Sequence, residues 1–292
     1  MSRIFGFIAL TAAAVLWGSS FIAGKFALET FSFPVIVILR FLISGIILAA
    51  WFFYKKISLK EAFSPRLLLL GFLTVTATFL LQFAGLSLTS AVNAAVVIGL
   101  EPMVVPLVGA LFFKEKFPLR LVILAALTVI GIWLTVGSPS PQGWLGISLV
   151  FVSTIVVGFW IFLTKRLMTD RAPLQATGLV TWGGLSSLFP VSLLLLPFTG
   201  LPISSNPNHF AESLIALIFL GIFCTLGASF FWNWGLKRVS GGFSGIFLAF
   251  EPLVGVLLAV VILKDTFTLQ IGVGTGLVLL SAILAVLLEK KD

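Results

Sequence analysis

Two glutamates stand where a glutamate is costly. Residues 101–119 read EPMVVPLVGALFFKEKFPL and residues 251–269 read EPLVGVLLAVVILKDTFTL, 150 positions apart with no gap. Glu101 and Glu251 each sit in an apolar run, each directly before a proline, Pro102 or Pro252. A charge at bilayer depth costs about 3 kcal/mol on insertion scales, so such a group faces the protein interior or a wet cavity. The prolines lack an N–H and free the carbonyls of Ile98 and Leu248. Each pair therefore predicts a kink at mid-span with an acceptor-rich patch beside it. Two chemistries fit. The carboxylates hold a proton, a cation or a substrate amine, or they bond neighbouring helices and fix packing. The repetition itself favours a shared structural role.

Other polar groups lie in apolar runs. Arg40 reads three ways: it binds a substrate carboxylate, pairs with Glu101, or snorkels outward. The pairing is the reading taken forward. Lys25, at the end of the first run, reads as an interfacial anchor. Trp51 and Trp144 fall where aromatic belts form. Trp17, Trp160 and Trp182 lie deeper, and Trp232 and Trp234 flank Asn233. Deep aromatics beside amides suit a cavity for an amphipathic metabolite, although any single ring is as well explained by packing or lipid contact. Gln82 and Asn93 either line that cavity or bond between helices. The candidate cavity residues are thus Trp17, Arg40, Gln82, Asn93, Glu101, Trp160, Trp182, Asn233 and Glu251. Gly272 and Gly276 form a GxxxG stripe expected to pack on the fifth span; a homodimer contact is the alternative.

Catalysis is not expected. Residues 242–245 read GFSG, the GxSG pattern of intramembrane serine proteases, but a serine nucleophile needs a base. The single histidine, His209, falls in the 197–212 connection, at the opposite face from Ser244. With one His, one Cys and Asp170, Asp265 and Asp292 all at span ends, no metal site is expected. No phosphate-cradling glycine loop points to a nucleotide. No cofactor is expected, and no filter loop or charge ring suggests a channel.

The elements that position these residues follow from composition. The 292 residues are 60% hydrophobic and 10% charged, with mean hydropathy +1.21. Soluble domains carry about 25% charged residues. Ten apolar runs, near 5–24, 33–53, 67–86, 91–112, 119–136, 143–163, 174–196, 213–235, 241–263 and 270–288, each have the length of a membrane-crossing helix. The fold class is an all-α polytopic membrane protein of ten helices. The first run is expected to remain as a helix rather than act as a signal peptide. With the N-terminus inside, fifteen Lys and Arg fall on the inner side and only Lys25 and Lys264 on the outer. This bias predicts both termini in the cytoplasm. It assigns the net charge of +8 to orientation and anionic lipid, not to nucleic acid.

The 150-residue offset holds from Gly85/Gly235 to Val136/Val286, and an offset near 140 relates Gly18/Gly158 and Lys25/Lys165. The chain reads as two five-helix halves, 1–137 and 143–292. Five is odd, so the halves cross in opposite senses, as inverted repeats with a substrate site at their midplane interface.

The ordered set LWGSSFIAGKFAL (16–28), FPVIVILRF (33–41), GLEP (99–102) with FKEKF (113–117), and FEP (250–252) with LKDTF (263–267) resembles the EamA type of the drug/metabolite transporter superfamily. The resemblance covers the whole chain, though no arginine in the second half matches Arg40. It implies a carrier that exports amino acids or other small metabolites through the bacterial inner membrane by alternating access. A proton-independent facilitator is the alternative. The expected partners are a small-molecule substrate and the bilayer, with a monomer favoured over a homodimer.

Overall fold

The computed structural model describes residues 2–114, 120–136, 139–168, 171–200, 207–238, 247–248 and 250–289. The described chain is helical, and its elements follow the apolar runs. They are α1 (Ser2–Leu28), α2 (Phe33–Tyr54), α3 (Pro65–Leu88), α4 (Ala91–Ile98), α5 (Glu101–Phe113), α6 (Arg120–Val136), α7 (Pro141–Met168) and α8 (Pro173–Thr199). Then come α9 (207–236), α10 (Phe250–Ile262) and α11 (Leu269–Glu289). Among the described residues, six helices are long and apolar enough to cross a bilayer, and α4 with α5 form a seventh, bent span. Three shorter apolar helices, within α6, α10 and α11, stand where the remaining spans are expected. Ser244 and the start of the ninth expected span lie outside the described residues.

Large apolar side chains face outward, among them Phe53, Phe198, Ile123, Leu194 and Val261. Such surface needs hydrocarbon as its solvent. Arg171 pairs with Glu61, and Lys237 donates to the Arg171 carbonyl over 2.8 Å, so the ends of α2, α7 and α9 share one face, here the basic face. On the opposite face His209 Nδ1 lies 2.6 Å from Glu29 Oε2. His209 belongs to α9, which begins at Pro207 rather than near 213. The expected loop is shorter because a proline suits a first helical turn.

Close packing runs between the first five spans and the last five. α1 packs on α9 and α10, α7 on α3 and α5, α2 on α8, and α6 on α11. Glycines set the closest approaches. A Cβ on Gly85 would lie 2.5 Å from the Gly146 carbonyl, and one on Gly235 would lie 2.7 Å from Leu10 and 3.1 Å from the Gly6 carbonyl. These contacts are exchanged by the sequence offsets, 85 to 235 and 6 to 146. The α6–α11 seam uses Gly131, Gly274 and a Thr128–Ser281 hydroxyl contact of 2.5 Å. The expected GxxxG stripe is therefore corrected: Gly274, between Gly272 and Gly276, faces α6, and a Cβ on Gly276 would meet nothing within 4 Å.

α5 ends in a left-handed residue, Lys114 (φ 60°), and α10 is followed by another, Lys264 (φ 56°). They are 150 positions apart and occupy the place where helices usually put glycine.

Both α3 and α9 contain a π-helical stretch, Phe72–Ala77 and Leu220–Gly227. In a π-turn the backbone bond reaches five residues, not four. Threonines serve these stretches: Thr78 Oγ1 donates to the Leu73 carbonyl and Thr225 Oγ1 to the Leu220 carbonyl, each over 2.8 Å.

Candidate functional site

The two π stretches lie on the wall of one cavity. α3 contributes Thr74, Val75, Thr78, Phe79 and Gln82; α9 contributes Cys224, Thr225, Ser229, Trp232 and Asn233. Trp17 and Ser20 come from α1, Phe41 from α2, and Trp160, Ile161 and Thr164 from α7. α8 adds Thr177 and Thr181, while Glu101 opens α5 and Glu251 lies in the first turn of α10. The cavity holds about 1080 Å³ of empty space, its mouth included.

Its depth can be read from the helices. Glu101 lies mid-way along the bent α4–α5 span, and Glu251 lines the same cavity. Thr164 is near the end of α7, Thr177 near the start of α8 and Asn233 near the end of α9, all at the basic face. The lining thus extends from mid-depth toward that face. On the opposite face the bundle is tied. Lys25 Nζ donates to the Thr89 carbonyl over 2.5 Å, and Ser213 Oγ donates to the Phe26 carbonyl over 2.6 Å. Lys25, expected as an interfacial anchor, meets a carbonyl at the C-terminal end of α3, where the helix dipole favours a cation.

α4 and α5 meet at 43°, and the break falls at Gly99 and Leu100. Pro102 sits in the first turn of α5, where its missing donor costs nothing. The chain therefore changes direction just ahead of Glu101 and aims the carboxylate at the cavity. Glu101 and Glu251 are 6% and 7% exposed. Among the described residues neither forms an ion pair.

Six of the nine expected residues line this cavity: Trp17, Gln82, Glu101, Trp160, Asn233 and Glu251. The Trp17 and Trp232 rings pack tilted by 50° with centroids 5.3 Å apart, and Asn233 Nδ2 donates to Thr177 Oγ1 over 3.1 Å. The Trp160 Nε1 and Thr74 Oγ1 atoms are buried without a hydrogen-bond partner, two groups that a polar solute could engage.

Three residues lie elsewhere. Trp182 donates to the Gly45 carbonyl over 3.1 Å and locks α8 to α2. Asn93 donates to Thr89 Oγ1 over 3.2 Å, beside a separate shallow opening on the opposite face. Arg40 is fully buried behind the wall, and its expected pairing with Glu101 is corrected. Its Nε donates to Thr225 Oγ1 over 2.8 Å, and its guanidinium sits 4.5 Å from the Phe79 ring centroid. Thr74, Thr78, Thr177, Thr181, Thr225 and Ser229 were not singled out in the sequence. The run TVTAT (74–78) was the available signal, hydroxyls crowded into an apolar stretch.

A helical bundle with a largely apolar cavity, set with hydroxyls and two glutamates, is an architecture that suits a membrane carrier. The profile of the EamA-like transporter family matches residues 4–137 and again residues 144–287. The chain belongs to that family. It is 28% identical over 281 residues to an uncharacterized transporter of Archaeoglobus fulgidus, covering 96% of this chain and 98% of that one. It is 30% identical over 298 residues to the uncharacterized inner membrane transporter YicL of Salmonella typhimurium, covering 96% and 94%. A solved crystal structure superposes with TM-score 0.69 at 19% identity, covering 99% of this chain and 98% of the other, which shows the shared fold.

Proposed function

We propose that this membrane transporter is a secondary carrier that exports small metabolites such as amino acids across the bacterial inner membrane. One observation carries the reading: the cavity takes one buried glutamate from each matched stretch, Glu101 and Glu251, onto a common wall. We take residues 1–137 and 143–292 as inverted repeats. The exchanged glycine contacts, the two π stretches and the left-handed pair Lys114 and Lys264, 150 positions apart, support that division. Both termini are placed in the cytoplasm by the lysine and arginine bias. The cavity then opens to the cytoplasm, the loading side for an exporter, and rocking of the halves would open the tied face. The chain acts as a monomer, without cofactor and without covalent chemistry on its substrate.

The test is metabolite profiling of the medium around cells that overproduce the chain, followed by efflux from proteoliposomes with the compound so found. A compound that leaves faster than from cells lacking the chain establishes the activity. No difference for any compound would reject it. Collapse of the proton gradient separates a coupled carrier, which stalls, from a facilitator, which continues down the substrate gradient.

A further inference from the structure

We propose that Arg40 is the carboxylate-binding subsite of the cavity, covered in this conformation by the ring of Phe79. The inference rests on the transport reading and adds which end of a zwitterionic substrate goes where. Arg40 is 0% exposed. A guanidinium offers five donors in a rigid fork. Here Nε alone is used, on Thr225 Oγ1, while Nη1 and Nη2 are buried without a hydrogen-bond partner. Buried charged donors left unpaired are costly, and a purely structural arginine would gather the acceptors within reach. At this helix contact the Gly221 carbonyl goes to Ser44 Oγ instead, over 2.6 Å.

What surrounds the charge is aromatic. Its guanidinium carbon lies 4.5 Å from the ring centroid of Phe79, 5.2 Å from that of Phe83 and 5.5 Å from that of Phe41. Ring faces attract the cation but leave its N–H groups unfilled. Phe41, Phe79 and Thr225 are themselves cavity wall. A movable ring, rather than backbone, therefore stands between the fork and the cavity. Rotation of Phe79 would offer both Nη groups to a carboxylate in the paired geometry that arginine favours.

The other end of the substrate is supplied on the same wall. Cys224 and Thr225 share the cavity lining with Glu251. A guanidinium fork, held by Thr225, and the Glu251 carboxyl group thus belong to one cavity wall. That polarity suits an α-amino acid, its carboxylate on Arg40 and its ammonium toward Glu251.

The experiment is binding to the purified full-length chain in detergent, by thermal shift and titration. The probes are the twenty amino acids and their C-terminal amides, which keep the ammonium and side chain and lose the carboxylate charge. At least one amino acid is expected to bind tenfold or more tightly than its amide. Arg40→Met should shrink that preference below twofold while amide binding persists. Thr225→Val, which keeps the charge but frees the fork, should fall between. If Arg40→Met is not monodisperse, Arg40→Lys serves, and its preference should drop at least threefold because lysine lacks the fork. Equal binding of acid and amide, a preference that survives the Arg40 variant, or binding of no probe overturns the subsite. The efflux assay then judges the transport reading separately.

Discussion

Arg40 and Thr225, 185 residues apart in sequence, are joined by a 2.8 Å hydrogen bond inside the bundle. Thr225 passes its own hydrogen to the Leu220 carbonyl, within the π-helical stretch of α9. One hydroxyl therefore repairs an irregular backbone and holds a buried charge. Thr225→Val should cost about 1–3 kcal/mol, since it leaves a buried carbonyl and a buried donor unpaired. Thr78→Val, which removes only the bond to Leu73, should cost less. Thermal unfolding of the two variants in the same detergent checks the order.

Glu101 and Glu251 face the cavity without an ion pair among the described residues. Glu101→Gln and Glu251→Gln should each slow efflux at least tenfold while the protein remains monodisperse. Unequal losses would mark one acid as the coupling site. Efflux at the parent rate, with only a modest loss of stability, would assign both to packing.

The crowding at Gly85 involves the Gly146 backbone carbonyl, which cannot rotate away. Gly85→Ala should destabilise by about 1–3 kcal/mol, the usual range for overpacking. Gly276 meets nothing within 4 Å, so Gly276→Ala should be neutral or stabilise by up to about 1 kcal/mol through helix propensity. Equal melting temperatures for the two variants would contradict the packing described.

Lys114 and Lys264 adopt left-handed backbone at the ends of α5 and α10. Glycine adopts that conformation without strain. Lys114→Gly and Lys264→Gly should each raise stability by about 0.5–1 kcal/mol, read as a higher melting temperature. A fall in both would show that the lysine side chains matter more than the backbone.

Most of the helical frame was legible because each span is a long apolar run bounded by proline, glycine or charge. The Glu–Pro pairs were legible for the same reason: an acid in such a run has few places to go. The π stretches were not, because a five-residue backbone register is set by packing against other helices. Nor was the cage around Arg40. Phe79 and Phe83 lie about forty residues away, and a single sequence holds no mark of that contact. Trp182 and Asn93 had the composition of cavity residues but face helix contacts that only the three-dimensional arrangement decides.

Cys224 is the chain's single cysteine, and it borders the cavity but is fully buried, its sulfur 3.7 Å from Ser19 Oγ. The protein therefore carries one thiol just behind the cavity surface. A membrane-impermeant maleimide added to one side, and then to the other, becomes a reporter of any rearrangement that bares this thiol, with no residue engineered. Protection of that thiol by a transported compound would turn the same reaction into an occupancy assay.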